Sequence, residues 1–345
     1  MMAERSVSIS ALDRAGALQA LNDVQITDND SSICLDFGSM GRVEPLGMMY
    51  FAASLKSYRE QLKSSRPDVT FRAVGYEGHD YPAHMGFFRM FGLKFGKNPD
   101  DASGGSRYEP IRFLDLREIE QSAADKYQDV HDAIEERSQG LAKLLVQGNQ
   151  PELVETLGYS LREIIRNSLE HARVGGLWYC AQYWPARDLV ELALLDQGVG
   201  IRSSLARNPH LDLASDEDAL RQALRPGISG VAFKGAKKRR DDAWQNSGFG
   251  LYMTSRLAGR DGEFFIGSGS AGLALSRGKE SVAPFKLQGT GISIRFRPSK
   301  VAGLRASLDE LRKSASDHEV ADMDSAVKTA SMSSIMLSRD FDKEG

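Results

Sequence analysis

The run LVELALLDQGVG (189–200) constrains this chain more than any other feature. It is apolar apart from Glu191 until it reaches Asp196, the pattern of a strand buried in a sheet. Two glycines, Gly198 and Gly200, then straddle Val199. Glycine lets the backbone approach a ligand closely and take positive φ. An aspartate at the end of a buried strand can accept a hydrogen bond from an exocyclic amine such as that of adenine. An ordinary strand-to-loop turn also uses Asp and Gly, so the run alone leaves both readings open.

Two further motifs flank it. The segment PELVETLGYSLREIIRNSLEHA (151–172) reads as a helix, with Pro151 at a favourable first-turn position. Glu163, Asn167 and His171 lie four residues apart and project from one face of that helix. A carboxylate, an amide and an imidazole in line can work together on a metal-bound phosphate. The amide oxygen suits Mg2+, which takes hard oxygen ligands, and the carboxylate can activate a water or hydroxyl. A solvated polar helix face would show the same spacing. The second motif, SGFGL (247–251), opens a helix, whose loop amides and N-terminus make an anion cradle for phosphates. A Gly-rich hinge is the plain alternative. A weaker element, GTG (289–291), enters the last strand and carries the hydroxyl of Thr290.

The rest of the chain arranges itself around these. Residues 1–30 read as a polar segment, and 31–100 as a small α/β domain. That domain has a strand in 32–40, a helix over 46–62, a strand over 68–76 and a short apolar helix within 78–96. Residues 101–147 read as a linker and a connecting helix, and 148–300 as the domain holding the motifs. Within it, strands are expected at 177–184, 189–196, 263–269 and 291–296, with a helix at 249–259. Residues 202–247 are polar and charged, and read as a lid. Residues 301–345 read as a helical, then mobile, tail.

Composition excludes several classes. With 44 basic against 47 acidic residues the chain carries no cationic coat, which argues against nucleic acid as its partner. Two cysteines, Cys34 and Cys180, allow neither a disulfide scaffold nor a multi-cysteine zinc site, and both read as core. No apolar run approaches the roughly 18 residues that span a bilayer, and MMAERSVSIS lacks the apolar stretch of a signal peptide. The expectation is a cytoplasmic protein without a membrane segment.

Taken in order, the motifs resemble the GHKL superfamily of ATP-binding domains, the Bergerat fold. Glu163, Asn167 and His171 match its N box; Asp196, Gly198 and Gly200 its first glycine box; Gly248 and Gly250 its second; and Thr290 the threonine of its last box. The resemblance covers about 150–300. It implies an α+β chain whose C-terminal part is an α/β sandwich, with helices on one face of a mixed sheet. It also implies ATP and Mg2+ as cofactors. Asp196 would hold the adenine amine, Asn167 would bind Mg2+, and Glu163 would be the catalytic base. Backbone amides at Gly248 and Gly250 would meet phosphates, and His171, Ile201, Phe249, Leu251 and Thr290 would complete the nucleotide site. The five lid cations Lys234, Lys237, Lys238, Arg239 and Arg240 would meet phosphates or a partner, or simply be solvated.

The wording EIIRNSLEHA resembles anti-sigma-factor serine kinases more than sensor histidine kinases, which more often carry a second Asn where His171 stands. The implied function is Mg2+-dependent ATP hydrolysis or transfer of the γ-phosphate to a protein partner, with homodimerisation open. An ATP-gated interaction switch with negligible catalysis is the alternative. A histidine-kinase-like protein with His131 as phosphoacceptor is another, and a DNA-acting ATPase ranks last. The N-terminal domain weakly resembles a STAS module through ICLDF, VTFRAVG and MGFFRMFGL. That family carries a phosphorylatable serine just before its first helix, where this chain has Glu44 and Pro45. His79, Asp80 and His84 could form a metal site, but lack a further ligand and read as loop residues.

Overall fold

The computed structural model describes residues 3–98, 104–126, 129–146, 151–171, 175–231, 233 and 250–303. The chain is a mixed α+β protein with several sheets. It divides into two compact units: residues 1–114 with 178–195 and 291–293, and residues 115–177 with 196–290 and 294–345.

In the first unit, β1 (Ala3–Ser8) is followed by β2 (Ala11–Leu12), α1 (Arg14–Asp23), β3 (Asp30–Asp36), β4 (Arg42–Val43), α2 (Pro45–Ser65) and β5 (Thr70–Val74). Strands β1, β3 and β5 form a parallel sheet in that order, in register through Val7, Leu35 and Ala73. Parallel neighbours need crossover connections, and α1 and α2 lie in them. The opening residues are therefore part of the fold rather than a polar segment. Ile9, Leu12, Ala17, Ala20, Leu21 and Val24 are buried, but serines and acids between them hide the pattern. Helix α1 starts where Asp13 accepts a hydrogen bond from Gly16 N at 2.8 Å. Helix α2 starts at Pro45, and the Leu46 N–H donates to the Glu191 carboxylate at 3.4 Å. Short helices α3 (Asp80–His84) and α4 (Phe87–Met90) follow. Phe87, Phe88 and Phe91 close around Phe37 in a buried aromatic cluster, the Phe37–Phe88 pair edge-on at 5.4 Å. Strand β6 (Tyr108–Asp115) then occupies part of the stretch expected to be a linker.

The expected connecting helix is two helices, α5 (Leu116–Asp125) and α6 (Val130–Val146), and α7 (Pro151–His171) packs against α6. Strands β7 (Gly176–Trp184) and β8 (Leu189–Asp196) are an antiparallel pair, with Trp178 opposite Leu195. Every residue of β8 after Leu189 is buried, which is why it reads as a continuous apolar run. Next come α8 (Gly200–Leu205), α9 (Asp216–Ala223) and α10 (Gly250–Asp261), then the hairpin β9 (Glu263–Ser276) and β10 (Lys279–Phe296). The five-stranded sheet runs β6-β7-β8-β10-β9.

Two expectations change here. The hairpin is far longer than the strands at 263–269 and 291–296. Its two-residue turn, Arg277 (φ 51°) and Gly278 (φ 72°), has the both-positive backbone that matches the twist of paired strands. The first six residues of β10 are exposed on both faces, so they carry no apolar alternation. The first part of the expected lid is also ordered helix. Leu205, Leu220 and Ala223 are buried, and α9 packs on β9. The Asp216 carboxylate pins it there, accepting from Ser270 N and Oγ at 2.8 Å each. Residues 234–247 and the tail from 304 lie outside the described residues.

Candidate functional site

Within the second unit, the motifs gather around two buried carboxylates. Asp196 ends β8 and is 4% exposed. Its Oδ1 accepts from Gly198 N at 2.9 Å, and Thr290 of β10 donates to it from both backbone and hydroxyl. Burial pushes its carboxyl up to about 6, against the opposing pull of these donors. The rise from 3.8 to about 6 disfavours the ionised form by about 3 kcal/mol. A carboxylate has about four acceptor positions. The described chain fills three, from Gly198 N, Thr290 N and the Thr290 hydroxyl, and leaves one for an incoming N–H.

The backbone around Asp196 is built for close approach. Gly289 sits at φ 118°, and a Cβ there would overlap the Asp196 carbonyl and lie 2.7 Å from Gln197 Cα. Gly200 sits at φ 78°, and a Cβ there would lie 2.9 Å from Ser268 Oγ. Ser268, 3% exposed on β9, accepts from Ile201 N at 2.9 Å and donates to Gly289 O at 2.7 Å.

Glu163 is the second carboxylate, on α7 and 2% exposed. Arg166, one turn on, donates to its Oε2 at 3.0 Å, and Arg162 Nη2 lies 3.6 Å from Oε1. Arg162 is itself held by Glu135 of α6 at 2.7 Å and lies over the Tyr159 ring at 4.8 Å. Gly250, the first residue of α10, rests on Glu163: a Cβ there would overlap Glu163 Cβ and come within 2.8 Å of its Cγ. Leu251 and Ile201, each directly after a motif glycine, pack on one apolar cluster of Leu205, Ala223 and Ile228. That cluster joins the two glycine motifs.

Asp196, Gly198, Gly200, Ile201 and Thr290 are thus brought together, as are Glu163 and Gly250, with Leu251 between the two groups. Asn167 is half-buried one turn beyond Glu163 on α7. His171 ends that helix, but its side chain lies outside the described residues, as do Gly248, Phe249 and the five lid cations. His131 lies near the start of α6, its side chain also undescribed. At Gly200, Gly250 and Gly289 the space a side chain would need is taken by the protein itself. At Gly200 the sequence reading, in which glycine lets a ligand approach, is therefore not required.

Ser268, Gly289, Arg162 and Arg166 were not singled out in the sequence. Ser268 left one faint signal, a small polar residue between glycines in a strand that otherwise favours bulky side chains (FFIGSGSAG).

Elsewhere the chemistry is quieter. His79 Nε2 hydrogen-bonds the Phe37 carbonyl at 2.7 Å, and His84 packs against the Tyr108 ring at 4.7 Å. Burial lowers the His84 pKa, with Lys97 adding to the effect. No group of three His, Cys, Asp or Glu residues suited to a metal occurs among the described residues. Cys34 and Cys180 are buried free thiols, raised by burial. No described helix is long and apolar enough to cross a membrane.

The donor set fits the cofactors that the sequence implies. The open acceptor position on Asp196 suits an amine. Mg2+ commonly takes one or two protein oxygens and completes its shell with phosphate and water. Asn167 could supply such an oxygen without a cluster of carboxylates. No protein-family model, no curated protein and no solved structure matches the chain.

Proposed function

We propose that this chain is a GHKL-type ATP-binding protein, with a Bergerat-type sandwich in its C-terminal part and a STAS-like N-terminal domain. The observation that carries the reading is Asp196, a buried carboxylate at the end of β8 that uncharged donors hold, the Gly198 N–H and the backbone and hydroxyl of Thr290. A group with only a structural role at that place would be cheaper as an amide or an apolar side chain. The order of elements from α6 to β10, with α9 and α10 packed on β9, also supports the sandwich. The parallel β1-β3-β5 sheet with its crossover helices supports the α/β character of the N-terminal domain.

In this reading Asp196 accepts the adenine amine, and Thr290 and Gly198 hold the carboxylate in place to do so. The N-terminus of α10, opening at Gly250, offers N–H groups and a positive dipole end to phosphates. Asn167 would hold the Mg2+, whose part is to neutralise charge on the phosphates. Glu163 would take the proton from water or from the hydroxyl of a protein partner. Cytoplasmic action goes with this reading, since its substrate is an intracellular nucleotide.

One observation favours the second reading, an ATP-gated interaction switch with little catalysis. Glu163 is sealed beneath Gly250 and held by Arg166 and Arg162. A general base must come within about 3 Å of the proton that it removes. In the arrangement described, one of its oxygens takes the Arg166 hydrogen bond and the other faces Arg162 at 3.6 Å.

Calorimetric titration of the whole chain with a non-hydrolysable ATP analogue and Mg2+ tests both readings. Binding is expected for the parent and a marked weakening for Asp196→Asn. Equal heats from the two proteins would remove the nucleotide reading. Phosphate release that survives in the parent and disappears in Glu163→Gln selects the catalytic reading over the switch.

A further inference from the structure

We infer that Ser268 is the positioning residue for base recognition at Asp196, a role that rests on the nucleotide reading above.

Its hydroxyl closes a ring of contacts. Asp196 Oδ1 takes the Gly198 N–H, and two residues later the chain passes Gly200 into α8. There the Ile201 N–H donates to Ser268 Oγ at 2.9 Å, and Ser268 donates onward to the Gly289 carbonyl at 2.7 Å. Gly289 leads into Thr290, which returns two hydrogen bonds to Asp196. The donors that orient Asp196 thus come from two segments, 198–201 and 289–290. Ser268 is the side chain that ties them together on both sides, using its donor and its acceptor at once.

The surroundings explain why this position needs a small hydroxyl. Gly200, at φ 78°, brings its backbone close enough that a Cβ there would sit 2.9 Å from Ser268 Oγ. Gly289 is pressed against the Asp196 carbonyl on the other side. Ser268 itself is 3% exposed, so water cannot take over from it without opening the site. Removing the hydroxyl leaves a part-buried N–H and a buried carbonyl without their partner, a loss that parts the two segments rather than being tolerated in place. Once they part, water reaches Asp196. Its carboxyl loses some help from Gly198 and Thr290, but burial is the larger influence on it, so the net effect is a fall toward the ordinary carboxyl range.

The test reads Asp196 directly, without nucleotide. The carboxyl titration of Asp196 is followed by carbon-13 NMR in the full chain, in the parent, in Ser268→Ala and in Ser268→Thr. The expected result is a midpoint near 6 in the parent and in Ser268→Thr, and a lower one in Ser268→Ala. Affinity for the ATP analogue should drop roughly tenfold or more in Ser268→Ala and largely return in Ser268→Thr. A folded Ser268→Ala with an unchanged Asp196 midpoint overturns the inference, whatever the nucleotide data show. A parent that binds no nucleotide removes the ATP reading, while the titration still decides whether Ser268 positions Asp196. Should Ser268→Ala fail to fold, hydrogen exchange at the Ile201 amide of the parent decides. Exchange only through global unfolding supports the ring, and exchange as fast as a surface loop overturns it.

Discussion

Asp196 and Glu163 are both buried carboxylates at motif positions of the same compact unit, yet the chain treats them in opposite ways. Asp196 is held by uncharged donors: one backbone N–H from Gly198, and the backbone and hydroxyl of Thr290. Glu163 is held by charge, with Arg166 at 3.0 Å and Arg162 at 3.6 Å. Neutral donors orient a carboxylate without cancelling its charge, so Asp196 stays costly and available to an amine. Guanidinium groups offset the charge, Arg166 through a hydrogen bond and Arg162 as an ion pair, so Glu163 is stabilised and held in place. In the proposed reading, the difference separates a recognition group from a group that must be released before it can act.

The largest effect should come from breaking the charged arrangement. Arg166→Ala leaves Glu163 buried with only the more distant Arg162, and loss of one partner of a buried pair costs about 3–5 kcal/mol. Denaturant unfolding should show that drop, and the double variant with Glu163→Gln should recover most of it. A single Arg166→Ala protein as stable as the parent would mean that Glu163 is not locked as described.

Asp196→Asn should act in the other direction on stability. The folded carboxyl titrates near 6 and an unfolded aspartate near 3.8. The folded state therefore binds the extra proton between those values. Its stabilising contribution is complete below about pH 4 and is lost as pH rises through 6, a change of about 3 kcal/mol. At pH 8 the amide variant avoids that cost, and should be more stable than the parent by up to about 3 kcal/mol. It should bind the ATP analogue about a hundredfold more weakly. Acids with lowered pKa values, among them Glu4, Asp30 and Asp68, slope the opposite way, so the difference between parent and variant isolates Asp196. A variant less stable than the parent at pH 8 would mean that Asp196 is a structural acceptor first.

How far the sequence reveals this depends on which physical signal each part leaves. Strand β8 was legible because burial on both faces produces an unbroken apolar run ending in a charge. Helix α7 was legible from its periodicity and from Pro151 at its start. Strand β1 was not, because serines at 6, 8 and 10 alternate with Val7 and Ile9 and read as a polar stretch. The outer half of the β9–β10 hairpin was not, because its exposed strand has no buried face. In the site, the acidic residues were visible as types at a spacing, but what surrounds them was not. Arg162 and Arg166 look like solvated helix charges, and the pairing that buries Glu163 with them follows from Gly250 of a distant helix closing over it. Ser268 joins residues 67 positions behind it and 21 ahead, a link that no local pattern encodes.

The glycines sharpen the comparison at the smallest scale. Gly289 and Gly250 each rest against one of the two acidic residues, but they meet different atoms. A methyl group at Gly289 would strike the Asp196 backbone carbonyl while also being forced to hold φ 118°, and neither can relax locally. A methyl group at Gly250 would strike the Glu163 side chain, which can shift along its own torsions at the expense of the arginine pair. Gly278, in the hairpin turn, has the positive φ of 72° but open space around it. Alanine should therefore cost most at Gly289, about 3 kcal/mol, and less at Gly250, about 2. Gly278→Ala isolates the backbone strain alone, about 1 kcal/mol. Only Gly289→Ala should also move the Asp196 titration, because only there does the added group displace the strand that bears its carboxylate. Equal losses at Gly289 and Gly278 by denaturant unfolding would show that close packing against Asp196 adds nothing to the strain, and would leave the contrast between the two carboxylates to their donors alone.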